Sequence, residues 1–307
     1  MSRLEHRPEH APRGPGEEHA YGCTDHHVVL SDGLRVSYAE TGVADGTVVL
    51  YLHGTPGSRM QITGPLNAVA GELGLRLVAP DRPGYGGSSF VRYRVVDYPV
   101  MITRFADSLG IGEFGVVGTS GGGRYACACG VALADRVRRV ALVGSTAPSD
   151  LPGVRQTWSK PDRRLYTMAA KAPWLLRVSM AKTARSLRQD PQRMLKILPD
   201  MSAADQRAVA RADVQALIRA TTAEAFRQGG RGFVHDLRLE ALPWGCSLDA
   251  IATPVDVWHG RDDTIVRCEQ AEILVGALPG AHRRFIAGEG HFSLVMLRAA
   301  SYLEPFQ

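Results

Sequence analysis

The segment Gly118-Thr119-Ser120-Gly121-Gly122 sets one serine among glycines, directly after the apolar run Phe114-Gly115-Val116-Val117 and before a run of small residues. A chain that turns from strand to helix within about one residue there holds the middle residue in a strained conformation, with its side chain exposed. Gly118 and Gly122 shape this loop, because a Cβ at either would collide with a neighbouring strand or helix. No lysine follows in a phosphate-loop arrangement and no G-x-G-x-x-G occurs, which disfavours a phosphate-binding turn. A serine hydroxyl is a poor nucleophile without an adjacent base. His291, in Gly288-Glu289-Gly290-His291-Phe292, is the best candidate, between the last strand pattern and the last helix pattern. An imidazole base must be held in one tautomer by a carboxylate. Gly260-Arg261-Asp262-Asp263-Thr264-Ile265-Val266 offers two, just past the run Val255–His259. Acyl chemistry further needs two N–H donors for an oxyanion. Gly121 supplies one. The loop His53-Gly54-Thr55-Pro56-Gly57 supplies the other, and Thr55 is its natural donor because Pro56 has no N–H. His53 and Gly54 are read as shaping that loop. This chemistry calls for no metal and no cofactor.

Such residues need a rigid scaffold. His26–Leu30, Ser31-Asp32-Gly33 and Leu34–Glu40 read as a hairpin, since Asp-Gly supplies positive φ. The apolar runs 47–52, 75–79, 114–118, 137–144, 254–260 and 281–287 have the character of buried parallel strands. Helical spacing predicts helices over 61–73, 98–111, 121–133, 268–279 and 291–303. After Pro148 the strand pattern stops for about 100 residues. Helices are expected there near 160–171, 173–188, 202–218 and 221–228. Strand–helix alternation broken by an all-helical insertion means α/β architecture: a doubly wound, mostly parallel sheet with an inserted helical cap. The expected organisation is a disordered tail over 1–22, a core over 23–148 and 253–307, and the cap over 149–252. His6, His10 and His19 in the tail, and His26 and His27 just after it, lack metal-ligand spacing.

Taken together, HGTPGS, DRPGYGGSS (81–89), GTSGGG, PWGCSLDAIATPVDVWHGRDD and GEGHFS resemble the α/β-hydrolase fold family. The resemblance is to its capped branch, which includes esterases, cofactor-free haloperoxidases, C–C hydrolases and proline iminopeptidases. It covers His26 to about Leu303. The family's G-x-x-D-x-x-V pattern implies Asp263 as the acid, with Gly260 and Val266 matching and Asp262 as a neighbour. Asp150 is the reserve, because some members place the acid there. Asp81 matches a residue that shapes its loop. Ser120 stands where epoxide hydrolases and haloalkane dehalogenases of this fold carry an aspartate, which disfavours both. HGTPG in place of HGGPG, Gly121 after the serine and a basic cap disfavour a peptidase.

Hydrophobic residues make up 45% and charged residues 22% of the 307, which excludes wholesale disorder. No apolar run reaches 18 residues and the N-terminus lacks the apolar core of a secretory signal. Cys23, Cys127, Cys129, Cys246 and Cys268 are odd in number and unlike metal ligands in spacing, so reduced thiols and a cytoplasmic location are expected. The net charge of +5 is not spread as nucleic-acid binding would need, and no stable membrane insertion is expected. Residues 149–252 hold 17 basic and 10 acidic side chains, and 155–196 alone hold 11 basic against Asp162 and Asp190. Three readings fit that segment: a lid whose arginines face water, electrostatic capture of an anionic substrate, or transient contact with a membrane surface. The function expected is a serine hydrolase, most simply a carboxylic ester hydrolase, acting on a small-molecule acyl substrate. Alternatives are a cofactor-free perhydrolase or lyase of secondary metabolism reusing the same residues, and more remotely a non-catalytic small-molecule receptor.

Overall fold

The computed structural model of the protein describes residues 17–19, 23–197 and 201–307. Strand β1 (Glu17–His19) lies within the stretch expected as a disordered tail; the rest of that stretch is outside the described residues. β2 (Cys23–Val29) and β3 (Arg35–Gly42) form the expected antiparallel hairpin, with Gly33 at φ 81° in the turn. β4 (Thr47–Leu52) is followed by a 3-10 turn over Arg59–Ile62 and helix α1 (Pro65–Glu72). The helix expected from 61 starts later because Gly64 turns at φ 62° and Pro65 suits a first helical position. Then come β5 (Leu75–Pro80), α2 (Tyr98–Ser108), β6 (Phe114–Thr119), α3 (Gly123–Ala132) and β7 (Val137–Val143).

The segment between β7 and the next strand is helical: α4 (Val154–Thr157), α5 (Lys160–Lys171), α6 (Pro173–Gln189), α7 (Met194–Ile197), α8 (Ala203–Ala210), α9 (Ala212–Ala225) and α10 (Arg231–Ala241). The single helix expected over 202–218 is broken where Arg211 takes extended angles, and α9 runs on through the start of the helix expected over 221–228. Sequence patterning missed α10 altogether. β8 (Val255–Gly260), α11 (Cys268–Gly276), β9 (His282–Ile286), α12 (His291–Leu297) and α13 (Ala299–Leu303) complete the chain, the last two dividing at Arg298 what reads as one helix.

The strands form one sheet in the order β1-β2-β3-β5-β4-β6-β7-β8-β9. The pairings from β5 through β4 to β9 are parallel. Strand residues at the centre are buried on both faces, as in β4, where Val49 to Leu52 have no exposed surface. From β4 the chain crosses to β5 on one side, then returns to β6 on the other. The carboxyl ends of β4 and β6 therefore splay their loops apart at a reversal of winding, where open α/β sheets place ligands. The loops carrying His53–Gly57 and Ser120 leave the sheet at that point. Among the described residues no helix is long and apolar enough to cross a membrane.

Candidate active site

Ser120 directly follows β6 and begins a 3-10 turn over Ser120–Gly122 that leads into α3. It is the one non-glycine residue with positive φ among those described, at 50°. That conformation is costly for an L-residue and persists only where the surroundings enforce it. The flanking glycines make room. A Cβ on Gly118 would stand 2.7 Å from the Ala126 Cβ and 2.8 Å from the Gly122 carbonyl oxygen, and one on Gly122 would overlap the Leu52 carbonyl.

His291 opens α12 and lines a cavity with Ser120, Thr55 and Gly54. Its Nδ1 lies 2.7 Å from Asp263 Oδ2. The other oxygen of Asp263 accepts the N–H groups of Ile265 and Val266, each at 2.8 Å, so the carboxylate is fixed by its own turn. Burial by itself would raise the Asp263 pKa, but the His291 charge and hydrogen bond, with His259 nearby, hold it below the usual carboxylate value. Burial likewise works to lower His291, and Asp263 and Asp205 outweigh it, leaving the imidazole pKa above its ordinary value. Asp262 is exposed. Asp150 is also exposed and lines a different hollow with Trp244 and Cys246.

His53 is fully buried below the loop. Its Nδ1 is 2.9 Å from the Gly54 carbonyl, and its Nε2 accepts the Arg82 N–H at 3.2 Å. Burial first, then the Arg82 charge, push its pKa well down, so it is a neutral brace for the loop. Gly54 donates its N–H to Gln61 Oε1 at 2.9 Å. Asp81 accepts the Arg59 N–H and guanidinium, each at 2.7 Å, in the loop after β5.

Two buried carboxylates from the inserted helices, neither marked by any motif, grip these loops. Asp236 on α10 accepts Thr55 Oγ1 at 2.9 Å, Arg82 Nη2 at 2.6 Å and the Tyr85 and Tyr125 hydroxyls at 2.8 and 2.6 Å. Arg82 in turn donates to the carbonyls of His53 and Gly54. Burial opposes the charge on Asp236, but Arg82 and Arg124 prevail and hold its carboxyl well below the usual range. Asp205 on α8 accepts the backbone N–H groups of His291 and Ser293, each at 2.9 Å. It thus satisfies two of the unpaired donors at the start of α12 from outside the helix. No sequence signal marks either one: Asp205 and Asp236 have no exposed surface, and that burial comes from tertiary packing. All eleven basic residues between 155 and 196 are exposed. None of them lines either cavity that reaches Ser120.

Residues 47–295 match the family model described as alpha/beta hydrolase fold. The chain belongs to this family. A 2-hydroxymuconate semialdehyde hydrolase of Pseudomonas putida is 27% identical to this hydrolase over 285 residues, 87% of this chain and 88% of the other. A 2-hydroxy-6-oxononadienedioate/2-hydroxy-6-oxononatrienedioate hydrolase of Paraburkholderia phymatum is 27% identical over 286 residues, covering 90% and 92%. Among solved structures, an esterase from Exiguobacterium antarcticum superposes with a TM-score of 0.68 at 18% identity, over 91% of this chain and 98% of its own. The enol-lactonase from Burkholderia xenovorans LB400 does so with a TM-score of 0.65 at 19% identity, over 91% and 97%. This hydrolase therefore shares its fold with these neighbours.

Proposed function

We propose that this hydrolase cleaves an ester or related acyl bond of a small molecule through Ser120, His291 and Asp263. The observation that carries this reading is the 2.7 Å contact between His291 and a backbone-anchored Asp263, in a cavity that His291 shares with a strained Ser120. Ser120 Oγ attacks the carbonyl carbon as its proton passes to His291 Nε2. Asp263 keeps the Nδ1–H in place and stabilises the imidazolium as it forms. The oxygen that becomes negative is met by the N–H groups of Thr55 and Gly121; one such donor is worth about 10²–10³ in kcat. Collapse of the tetrahedral species expels the alcohol with the proton from His291. Water then attacks the acyl-Ser120, giving its proton to His291; the second tetrahedral species breaks the bond to Ser120 Oγ, which takes that proton back, and the acid leaves. The helices between β7 and β8 act as a cap over this site, contributing Met194, Ile218, Thr221 and Thr222 to the cavity.

Labelling by a fluorophosphonate probe tests the assignment. One equivalent should bind per chain, none should bind Ser120→Ala, and an acyl-Ser120 species should be trapped from an ester at low pH. Equal labelling of the two proteins would remove Ser120 from its role. Turnover without an acyl intermediate would favour a lyase reusing the same residues.

A further inference from the structure

Two cavities meet at Ser120. The smaller, about 110 Å³, is walled chiefly by Met194, Ile218, Ile265, Phe292, Val295 and Met296. The larger, about 370 Å³, includes Arg124, Thr146, Trp158, Tyr166, Glu240 and Gln270. Thr55, Ser120 and Ile265 border both. A compound held with its carbonyl at Ser120 therefore directs a small apolar group into the first cavity and a larger, more polar group into the second.

Glu240 sets the chemistry of the larger cavity. It sits on α10 and is only 4% exposed. Its Oε2 lies 2.9 Å from Arg124 Nη1 and accepts the Thr146 hydroxyl at 3.3 Å. Its Oε1 is buried with no hydrogen-bond partner among the described residues. A buried carboxylate oxygen without a donor is costly, and in native structures such an unpaired acceptor asks for an explanation. The charged side chains lining this cavity are Arg124, Asp162 and Glu240, which sum to −1. Arg124 is held from several sides: its Nε donates to the Gly121 carbonyl at 2.8 Å and its Nη1 to the Asp236 carbonyl at 3.2 Å, Nη1 also lies 2.9 Å from Glu240 Oε2, and Nη2 makes a long 3.5 Å contact with the Thr55 hydroxyl. Among the described residues lining this cavity Arg124 is the one cation and its charge is matched by Glu240 at 2.9 Å, while the basic residues of the 155–196 segment face water elsewhere.

We propose that Glu240 is a specificity residue whose Oε1 accepts a hydrogen bond from an uncharged or cationic N–H or O–H group of the substrate, so that the larger cavity favours donor-bearing compounds and rejects carboxylates. This deepens the acyl-hydrolase reading, since Ser120 decides which bond is cut. The binding preference itself stands apart from turnover. Selectivity of this kind is a difference between a satisfied and an unsatisfied acceptor, reinforced by repulsion of the wrong charge.

The test uses the full chain carrying Ser120→Ala and two series of unreactive anilide and N-alkyl amides, with the variable end on the acyl side or on the amine side. Each series ends in carboxamide, methyl or carboxylate. In one series the carboxamide should bind about ten- to a hundredfold more tightly than the methyl compound, as expected for a hydrogen bond to a charged acceptor. The carboxylate should bind most weakly. Adding Glu240→Ala should shrink the span to below about threefold. Glu240→Gln leaves an acceptor for Arg124 and turns an NH₂ toward the cavity, so it should weaken the carboxamide and relieve the exclusion of the carboxylate. Equal binding of the three ends in both series, or preference for the carboxylate, overturns the proposal. That comparison needs only the pocket with Glu240 in place, so it decides the matter even if the Glu240 variants fail to fold. The corresponding esters, offered to the enzyme with Ser120 intact, separate the two readings. Absence of any turnover counts against acyl hydrolysis, whereas turnover without an end-group preference counts against Glu240.

Discussion

Replacing Asp236 by asparagine removes one negative charge from the centre of the molecule with almost no change in shape. The native carboxylate receives the Thr55 hydroxyl, the Arg82 guanidinium and two tyrosine hydroxyls, and both Asp236 and Arg82 are wholly buried. An amide has only one oxygen to offer these donors and turns its NH₂ toward the rest. Breaking a buried pair by removing one partner costs about 3–5 kcal/mol, a large fraction of a typical folding stability of about 5–15 kcal/mol. At about 2–4 °C per kcal/mol for a domain of comparable size, the melting temperature should fall by about 6–20 °C. The catalytic consequence is separate. Thr55 loses the acceptor that fixes its loop, and a misplaced oxyanion donor costs about 10²–10³ in kcat. In protein shown to be folded, kcat should fall by that factor while KM for a small ester stays within about threefold. The assay combines a thermal melt, active-site titration with a fluorophosphonate, and steady-state kinetics well below the melting temperature. Thr55→Val separates the two effects: it keeps the Arg82–Asp236 pair and the Thr55 N–H but cuts the hydroxyl tether, so the melt should shift much less than kcat. An asparagine variant that melts within about 2 °C of the native protein and keeps kcat would show that Asp236 neither stabilises the centre nor positions Thr55.

Asp263→Asn should lower kcat by about 10⁴, through loss of the correct imidazole tautomer, whereas Asp262→Asn, at an exposed position, should cost less than tenfold; the reverse order in kinetics would move the acid by one residue. Because the base must be neutral and the His291 pKa is raised, kcat/KM should fall as the pH drops through a midpoint above the ordinary histidine value of about 6.5. Asp205→Asn removes one of the charges that raise His291, so the acid limb of the pH profile should move to lower pH, and because the amide keeps one oxygen for the two α12 N–H groups, the donor left without an acceptor should cost about 1–3 kcal/mol in a denaturant melt. Neutralising Arg163, Arg164, Arg185 and Arg188 together should change kcat/KM for an uncharged ester by less than about threefold, since all four are exposed and none lines the cavities at Ser120; a matched anionic ester assayed across salt concentrations shows whether they assist capture.

Much of the molecule could be read from local pattern. Apolar runs such as Thr47–Leu52 and Phe114–Thr119 must be buried strands whatever surrounds them, and Gly118 and Gly122 mark a turn too tight for side chains. The positions of Ser120, Asp263 and His291 were legible because each follows a strand at the carboxyl edge of the sheet, beside glycines that mark a turn or the start of a helix. The breaks within the helices were less legible. A single residue such as Gly64 or Arg211 interrupts a run whose periodicity continues across it.

Local sequence signals were enough for the scaffold and for the loops that carry Ser120, His291 and Asp263, because strand, turn and helix signals act over a few residues and the sheet then brings the loop ends together. What holds and surrounds those residues depends on long-range packing. Asp236 meets Thr55 across 181 positions, and Asp205 meets the His291 backbone across 86. Both aspartates, and Glu240 beside Arg124, belong to no motif and look in the sequence like any acidic residue of a helix. A buried carboxylate is distinguished from an exposed one by the partners that neutralise it, and those partners are chosen by packing at long range, not by the residues on either side.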